Sequence, residues 1–339
     1  MNVKEIAQIK ALLANPKKIV IVSHRNPDGD AYGSSLALYY YLLKLKHDVV
    51  IVSPNDCPDF LKWLPGEAEI ITFENNQKIS TKLLQEAELV FTLDFNALHR
   101  VGKQMQEVLE NINPTYIMID HHQQPDDYAK FMYSDPSVCS TSQMIYHFFE
   151  KLDVLNTIDK TIATCLYTGI VTDTGSFKYQ STTSETHRIT ASLLDLGVDH
   201  TKIHNELYDT NSYNRLQLLG KALRNLKTLP EYNTAYISLS QGEMNAYNFK
   251  KGDTEGFVNY ALSLKGIELA VIFIEDQKQG IIKMSLRSKG DFSVNTFARK
   301  HFNGGGHENA AGGRSEETLQ KTIATFLEII PTYKKEITV

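Results

Sequence analysis

The chain is predicted to be an α/β protein: an N-terminal doubly wound parallel sheet, a helical linker, and a smaller α/β C-terminal domain. Three observations predict it. Short apolar runs alternate with helix-compatible stretches through the first 175 residues, the segment from Ser140 to about Leu229 is mostly helical, and strand-type runs return after Pro230.

Taken in order, Ile19–Val22 is a run of four β-branched residues, the signature of a short buried strand. A polar loop follows, then an apolar helical stretch over Ala31–Leu45. Val49–Val52, Ile70–Phe73, Leu89–Leu93 and Tyr116–Ile119 repeat the strand signal, with helix-compatible segments such as Ser80–Ala87 and Lys103–Glu110 between them. Ser140-Thr141-Ser142 reads as a helix start, because a hydroxyl there satisfies first-turn amides. A helix over Asp159–Ile170 leads into Asp173, and helices over Ser184–Leu196 and Arg215–Leu226 are expected to bridge the domains. Strands over Ala235–Leu239, Ile267–Ile274 and Ile281–Leu286 and helices over Val294–Phe302 and Glu316–Ile330 complete the chain. The expected division is a first α/β domain over 1–190, a helical linker over 191–229 and a second α/β domain over 230–339.

At 339 residues, with 42% hydrophobic and 22% charged positions, the chain can bury two cores and has the composition of a globular protein. A net charge of −5 does not advertise a long nucleic-acid groove or a membrane surface, so neither long duplex nucleic acid nor membrane is an expected partner. Cys57, Cys139 and Cys165 are far apart and odd in number, as expected of reduced thiols. No apolar run approaches the roughly 20 residues needed to span a bilayer, and the N-terminus has no secretion signal. The expected compartment is the cytoplasm.

Four segments concentrate acids and histidines at the ends of apolar runs. They are His24-Arg25-Asn26-Pro27-Asp28-Gly29-Asp30, Asp94 after Leu89–Leu93, Asp120-His121-His122 after Tyr116–Ile119, and Asp173 after Gly169–Thr172. Apolar strands ending this way mark the ligand-binding edge of a parallel sheet. Mixed carboxylate and imidazole, without cysteine, suits hard or borderline divalent cations. Gly29 permits a turn in which Asp28 and Asp30 diverge toward two ions. His24, Asp28 and Asp94 then serve one cation, and Asp30, Asp94, His121 and Asp173 the other, with Asp94 bridging. Two cations about 3.5–4 Å apart form a clamp for in-line displacement at phosphorus; Mn²⁺ fits the donor set best, with Mg²⁺ and Co²⁺ as competitors. Read locally instead, Asp28-Gly29 is a turn, Asp30 a helix N-cap and Asp94 a strand-end cap. Ser140-Thr141-Ser142 reads as a cap rather than a nucleophile, since no base-activated triad accompanies it.

The motifs Asn-Pro-Asp-Gly-Asp, Asp-His-His and Thr-Asp-Thr-Gly, in this order with a strand-end Asp between the first two, resemble the DHH phosphoesterases. Gly304-Gly305-Gly306-His307 followed by Ala310-Ala311-Gly312-Gly313 resembles the DHH-associated C-terminal domain. The resemblance covers nearly the whole chain, and length and layout look most like the NrnA-type branch of oligoribonucleases that also remove the 3′-phosphate from pAp. It implies His24, Asp28, Asp30, Asp94, His121 and Asp173 as metal ligands and His122 as a residue near the substrate phosphate, with Asp120 holding the histidine loop. Glu308 stands where many relatives carry a basic residue.

In the second domain, the amides of Gly304, Gly305 and Gly306 are expected to form an anion-binding concavity, with His307 adding a donor. Arg287 and Lys289, two apart at a strand end, are expected on one face as a phosphate grip, and Arg100 is a further phosphate-contact candidate. The function expected is a Mn²⁺-dependent phosphoesterase acting on short oligoribonucleotides (including pApA) and on pAp, with Asp94, His122 and Asp120 in the catalytic set. A pyrophosphatase or short-chain exopolyphosphatase is the rival enzyme, and a nucleotide-sensing protein with a vestigial site the rival of another class. A homodimer is compatible with the chain.

Overall fold

β-Branched runs covered on both sides make the first sheet apolar on both of its faces. The computed structural model describes residues 1–337; the last two positions of the domain expected over 230–339 lie outside the described residues. The chain divides into Met1–Thr210 and the residues from Asn211 onward.

The first unit holds six parallel strands among the described residues: β1 (Lys18–Val22), β2 (Asp48–Ser53), β3 (Ile71–Thr72), β4 (Leu89–Leu93), β5 (Thr115–Asp120) and β6 (Phe131–Ser134), in the order β3-β2-β1-β4-β5-β6. Ile19 lies opposite Val49 on one side and Leu89 on the other. The helices are α1 (Val3–Leu12), α2 (Gly29–Lys44), α3 (Gln77–Glu86), α4 (Lys103–Glu110), α5 (Thr141–Lys151), α6 (Lys160–Asp173), α7 (Ser184–Asp195) and α8 (His200–Tyr208). Ile19, Ile21, Phe91 and Ile117 share one core with α1, α2 and α5–α8, whereas Val20, Val22, Val90 and Met118 face α3 and α4. Strand order reverses between β1 and β4, and the crevice beyond the carboxyl ends at such a switch point is where open α/β sheets bind ligands.

Helix α2 crosses α6 at close range. A Cβ on Gly33 would sit 2.5 Å from the Cys165 carbonyl, and one on Gly29 would sit 2.5 Å from the Thr172 side chain. Gly29 is the first residue of α2, with no left-handed φ. Its expected role as a turn-former is therefore corrected: glycine is required there for room. Helix α1, α8 and the short edge strand β6 were not anticipated. Strand β6 is four residues long and only alternately buried, so its apolar signal is weak.

The second unit contains α9 (Tyr213–Asn225), β7 (Lys227–Leu229), β8 (Thr234–Leu239), α10 (Gln241–Ala246), α11 (Phe257–Leu262), β9 (Leu269–Asp276), β10 (Ile281–Ser288), α12 (Val294–His301), β11 (Gly305–Gly306), β12 (Ala310–Ser315), α13 (Leu319–Ile329) and α14 (Lys334–Ile337). Its mixed sheet has the order β11-β12-β10-β9-β8-β7, with β8 and β9 parallel and the other pairs antiparallel. One face packs Phe297 and Phe326 from α12 and α13; the other packs Leu218, Met244 and Phe257 from α9–α11. No helix among the described residues is long and apolar enough to cross a membrane.

Candidate metal centre

The ends of β1 and β4 flank the switch point, and each delivers a ligand-type side chain there. His24 follows β1 and is 7% exposed. Its Nδ1 lies 2.9 Å from the Arg25 carbonyl oxygen. A carbonyl only accepts, so Nδ1 carries the proton and Nε2 presents its lone pair. His121, one residue past β5, is built the same way, with Nδ1 at 3.2 Å from the Val138 carbonyl oxygen.

Asp94 sits one residue past β4 with φ +65°, a left-handed backbone uncommon outside glycine. Its amide donates to the Ile119 carbonyl at 3.2 Å. This turn puts Oδ2 at 3.4 Å from His24 Nε2 and Oδ1 at 3.5 Å from His121 Nε2. One carboxylate thus presents one oxygen to each histidine.

Asp28 is the N-cap of α2: Oδ1 accepts the Asp30 and Ala31 amides, both at 3.0 Å, while Oδ2 lies 3.9 Å from His24 Nε2. The local reading of Asp30 as the cap is corrected. Asp30 is buried inside the first turn of α2, and its carboxylate spans the start of α5, accepting from the Thr141 amide at 2.6 Å and the Ser142 amide at 2.8 Å. A carboxylate there satisfies amides that the helix leaves unpaired and meets the positive end of its dipole. Asp30 Oδ2 is also 3.9 Å from His121 Nε2. Asp173 closes the group from the last residue of α6, a helix end rather than a strand end, with Oδ2 at 3.3 Å from the same nitrogen.

These side chains fit divalent cations. Donors held about 2.0–2.2 Å from one ion at tetrahedral or octahedral angles lie roughly 3.0–3.5 Å apart. Here the Nε2 atoms of two imidazoles face carboxylate oxygens at 3.3–3.9 Å. Three clusters in this unit share Asp94: His24–Asp28–Asp94, Asp30–Asp94–His121 and Asp94–Asp120–His122. Without a cation, protons must balance the buried charge. Burial pushes the Asp173 carboxyl up to about 7 and lifts Asp30 well above the usual carboxylate range. At His121, burial opposes charging, but Asp173, Asp94 and Asp30 outweigh it and raise the imidazole well above its ordinary value. Asp94 is held well below the usual range, because its contacts to His121 and His24 outweigh its burial.

His122 stands beside this group. Its Nδ1 is 2.6 Å from Oδ1 of the fully buried Asp120 and 3.8 Å from Asp94 Oδ1. Arg100 lies in the turn Leu98–Val101, and its carbonyl accepts the Arg25 amide at 2.9 Å. Burial and the Arg100 charge oppose protonation of His24, but Asp94 and Asp28 outweigh them and raise the imidazole.

In the second unit, Arg287 pairs in register with Ala310, whose carbonyl accepts the His307 amide at 2.7 Å, so both residues lie at one end of the β10–β12 ladder. Lys289 lies just beyond β10, and its ammonium donates to the Ile267 carbonyl at 2.7 Å. The expected amide concavity is corrected. The Gly304 amide is spent on the Ala298 carbonyl and the Gly306 amide on Asn295 Oδ1. Glycine is needed there for close strand approach: a Cβ on Gly304 would sit 2.0 Å from the Gly312 carbonyl oxygen.

Sequence reasoning missed two supporting residues. The Asn96 side chain donates to the Gln123 carbonyl at 2.6 Å, and the Asn96 backbone carbonyl accepts the Asp126 amide at 2.8 Å, which ties the Asp94 loop to the histidine loop. Thr141 donates through Oγ1 to Asp94 Oδ1 at 2.9 Å; the hydroxyl cluster at the helix start was its visible signal.

Both parts of the chain match known protein families. A family model described as the DHH family, N-terminal domain, matches residues 18–170, and one described as the DHHA1 domain matches residues 233–335. The bifunctional oligoribonuclease and PAP phosphatase NrnA of Thermus thermophilus is 33% identical over 310 residues, 91% of this chain and 86% of the relative. The protein of that name from Bacillus subtilis is 28% identical over 298 residues, 87% of this chain and 88% of the relative. A crystal structure of an exopolyphosphatase-related protein from Bacteroides fragilis is 40% identical, with TM-score 0.95, covering 99% of this chain and 98% of that one. The chain therefore belongs to the DHH family of phosphoesterases and carries a DHHA1 domain after its DHH domain.

Proposed function

We propose that this chain is a two-cation phosphoesterase that hydrolyses short oligoribonucleotides, including pApA, and releases the 3′-phosphate of pAp. The observation that carries the reading is Asp94, whose two oxygens face two separate histidines at 3.4 and 3.5 Å. His24, Asp28 and Asp94 would hold one cation and Asp30, Asp94, His121 and Asp173 the other. When bound, the cations (Mn²⁺ first, then Mg²⁺ or Co²⁺) would supply an activated water and neutralise charge on the phosphoryl oxygens.

The remaining chemistry falls to the chain's own groups. With Nδ1 of His122 committed to Asp120, proton exchange occurs at Nε2, which donates to the leaving oxygen of the ester. Asp120 fixes the ring through this bond. Arg100 contacts the phosphoryl oxygens as a planar fork. Arg287, His307 and the remaining donors of Lys289 offer phosphate contacts within the second unit. Relatives named oligoribonuclease and PAP phosphatase, aligned over about nine-tenths of this chain, support the nucleotide assignment.

The exopolyphosphatase-related likeness favours a second reading, removal of terminal phosphate from short polyphosphates. One panel separates them: pAp, pApA, a longer RNA, pyrophosphate and tripolyphosphate, each with Mn²⁺. AMP from pAp and pApA is expected. Orthophosphate from pyrophosphate or tripolyphosphate, with no AMP from the nucleotides, would overturn the nucleotide reading.

A further inference from the structure

We propose that the N-terminus of α5 is the template that sets the two cation sites relative to one another, with Thr141 as the positioning residue for the bridging carboxylate. The inference rests on the two-cation reading above.

Three bonds converge on the first two residues of this helix. The Thr141 and Ser142 amides hold the two oxygens of Asp30 at 2.6 and 2.8 Å, and the Thr141 hydroxyl holds Asp94 Oδ1 at 2.9 Å. Thr141, Ser142, Asp30 and Asp94 are all buried, so water does not replace any of these bonds. Asp30 belongs to one site, whereas Asp94 is shared by both. A single rigid helix end therefore registers a ligand of the second site against the bridge.

The hydroxyl has a definite mechanical task. Asp94 is fixed at its backbone by the Ile119 carbonyl, but its carboxylate plane remains free to rotate about χ2, a broad torsion. Rotation would swing Oδ1 away from His121 while Oδ2 moved off His24. The charge-assisted bond from Thr141 removes that freedom and occupies only one lone pair of Oδ1, leaving another for a cation. Ser140 already caps the helix by accepting the Gln143 amide at 3.0 Å, so Thr141 is not required as the cap.

The test is Mn²⁺ binding to the full chain by calorimetry and by electron paramagnetic resonance, which distinguishes a spin-coupled pair of ions from an isolated ion. Wild type is expected to take up two Mn²⁺ and give the coupled spectrum. Thr141→Val, similar in shape but without the hydroxyl, should bind the first ion nearly as wild type. It should bind the second about 10–100-fold more weakly, the usual effect of removing a group that orients a ligand, and give an isolated-ion spectrum. Thr141→Ser should restore both properties. A purely structural role would lower metal-free melting temperature and leave the coupling intact. Wild-type second-ion affinity and a coupled spectrum in Thr141→Val would overturn the inference alone. A wild-type chain that takes up a single Mn²⁺ would overturn the two-cation reading and the inference with it. Should valine's second methyl prevent folding, Thr141→Ala is read by the same criteria.

Discussion

The packing of α5 against α6 ties stability to the cation site, and Gly169→Ala measures that link. An ideal Cβ at Gly169 would lie 1.9 Å from Ser142 Oγ, 2.7 Å from Ser142 Cβ and 2.7 Å from Asp30 Oδ1. Ordinary contact begins near 3.4 Å. Rotating Ser142 removes the first clash, but its Cβ moves only with the backbone of α5, so the helices must separate by roughly 0.7 Å. Overpacking of this kind costs about 1–3 kcal/mol, partly offset by about 0.5–1 kcal/mol because alanine loses less chain entropy than glycine in a helix. The net expectation is a loss of about 1 kcal/mol within a range of about 0–2.5, a melting temperature lower by roughly 2–4 °C at 2–4 °C per kcal/mol for a unit of this size. Gly220 is the control. It is exposed in α9, and a Cβ added there would meet nothing within 4 Å, so Gly220→Ala should gain about 0.4–1 kcal/mol. Both are read by thermal unfolding of metal-free protein, followed by Mn²⁺ titration, where only Gly169→Ala should weaken binding through displaced Asp30. A Gly169→Ala protein as stable as wild type, with unchanged Mn²⁺ affinity, would refute the close-packing argument.

Other expectations follow from the site. Asp94→Asn keeps the left-handed backbone, which asparagine tolerates, but removes the bridging charge; calorimetry should show both cations lost, and retention of two would exclude Asp94 as the bridge. His122→Ala should lower kcat by about 10²–10⁴-fold while Mn²⁺ affinity stays close to wild type; equal losses in both would make His122 a ligand instead. In metal-free protein the Asp173 carboxyl is raised from 3.8 to about 7 by burial. A raised folded value means that its stabilising contribution is complete below about 4 and is lost as pH rises through about 7. Denaturation with chelator, comparing wild type with Asp173→Asn, should therefore show wild type losing relative stability across that window. Mn²⁺ affinity should strengthen over the same range with proton release, seen as a dependence of the calorimetric heat on buffer ionisation.

Much of the centre was legible because its chemistry lies in short local patterns. His24, Asp94 and the Asp120-His121-His122 run each follow an apolar strand, and a parallel sheet brings strand ends to one edge whatever its loops do. The expectation that Asp94 bridges came from counting donors, and its oxygens do face both His24 and His121. Local reading failed where one residue had two explanations. Asp28 and Asp30 both suit a cap, and only the position of the first helical turn separates them. The glycine run Gly304–Gly306 suited an anion cradle equally well, until Ala298 and Asn295 of α12 claimed two of its amides.

By itself, then, the sequence determined the alternating α/β class and which acids and histidines stand at the element ends, since each depends on residue identity and spacing along one segment. Only the tertiary structure decided what holds those ligands in place. The bond from Thr141 to Asp94 spans 47 residues, and those from Thr141 and Ser142 to Asp30 span 111 and 112. Contacts at such separations are set by the glycine-lined approach of α2 to α6 and the docking of α5 beside them, a matter of volume and shape that no periodicity along the chain records.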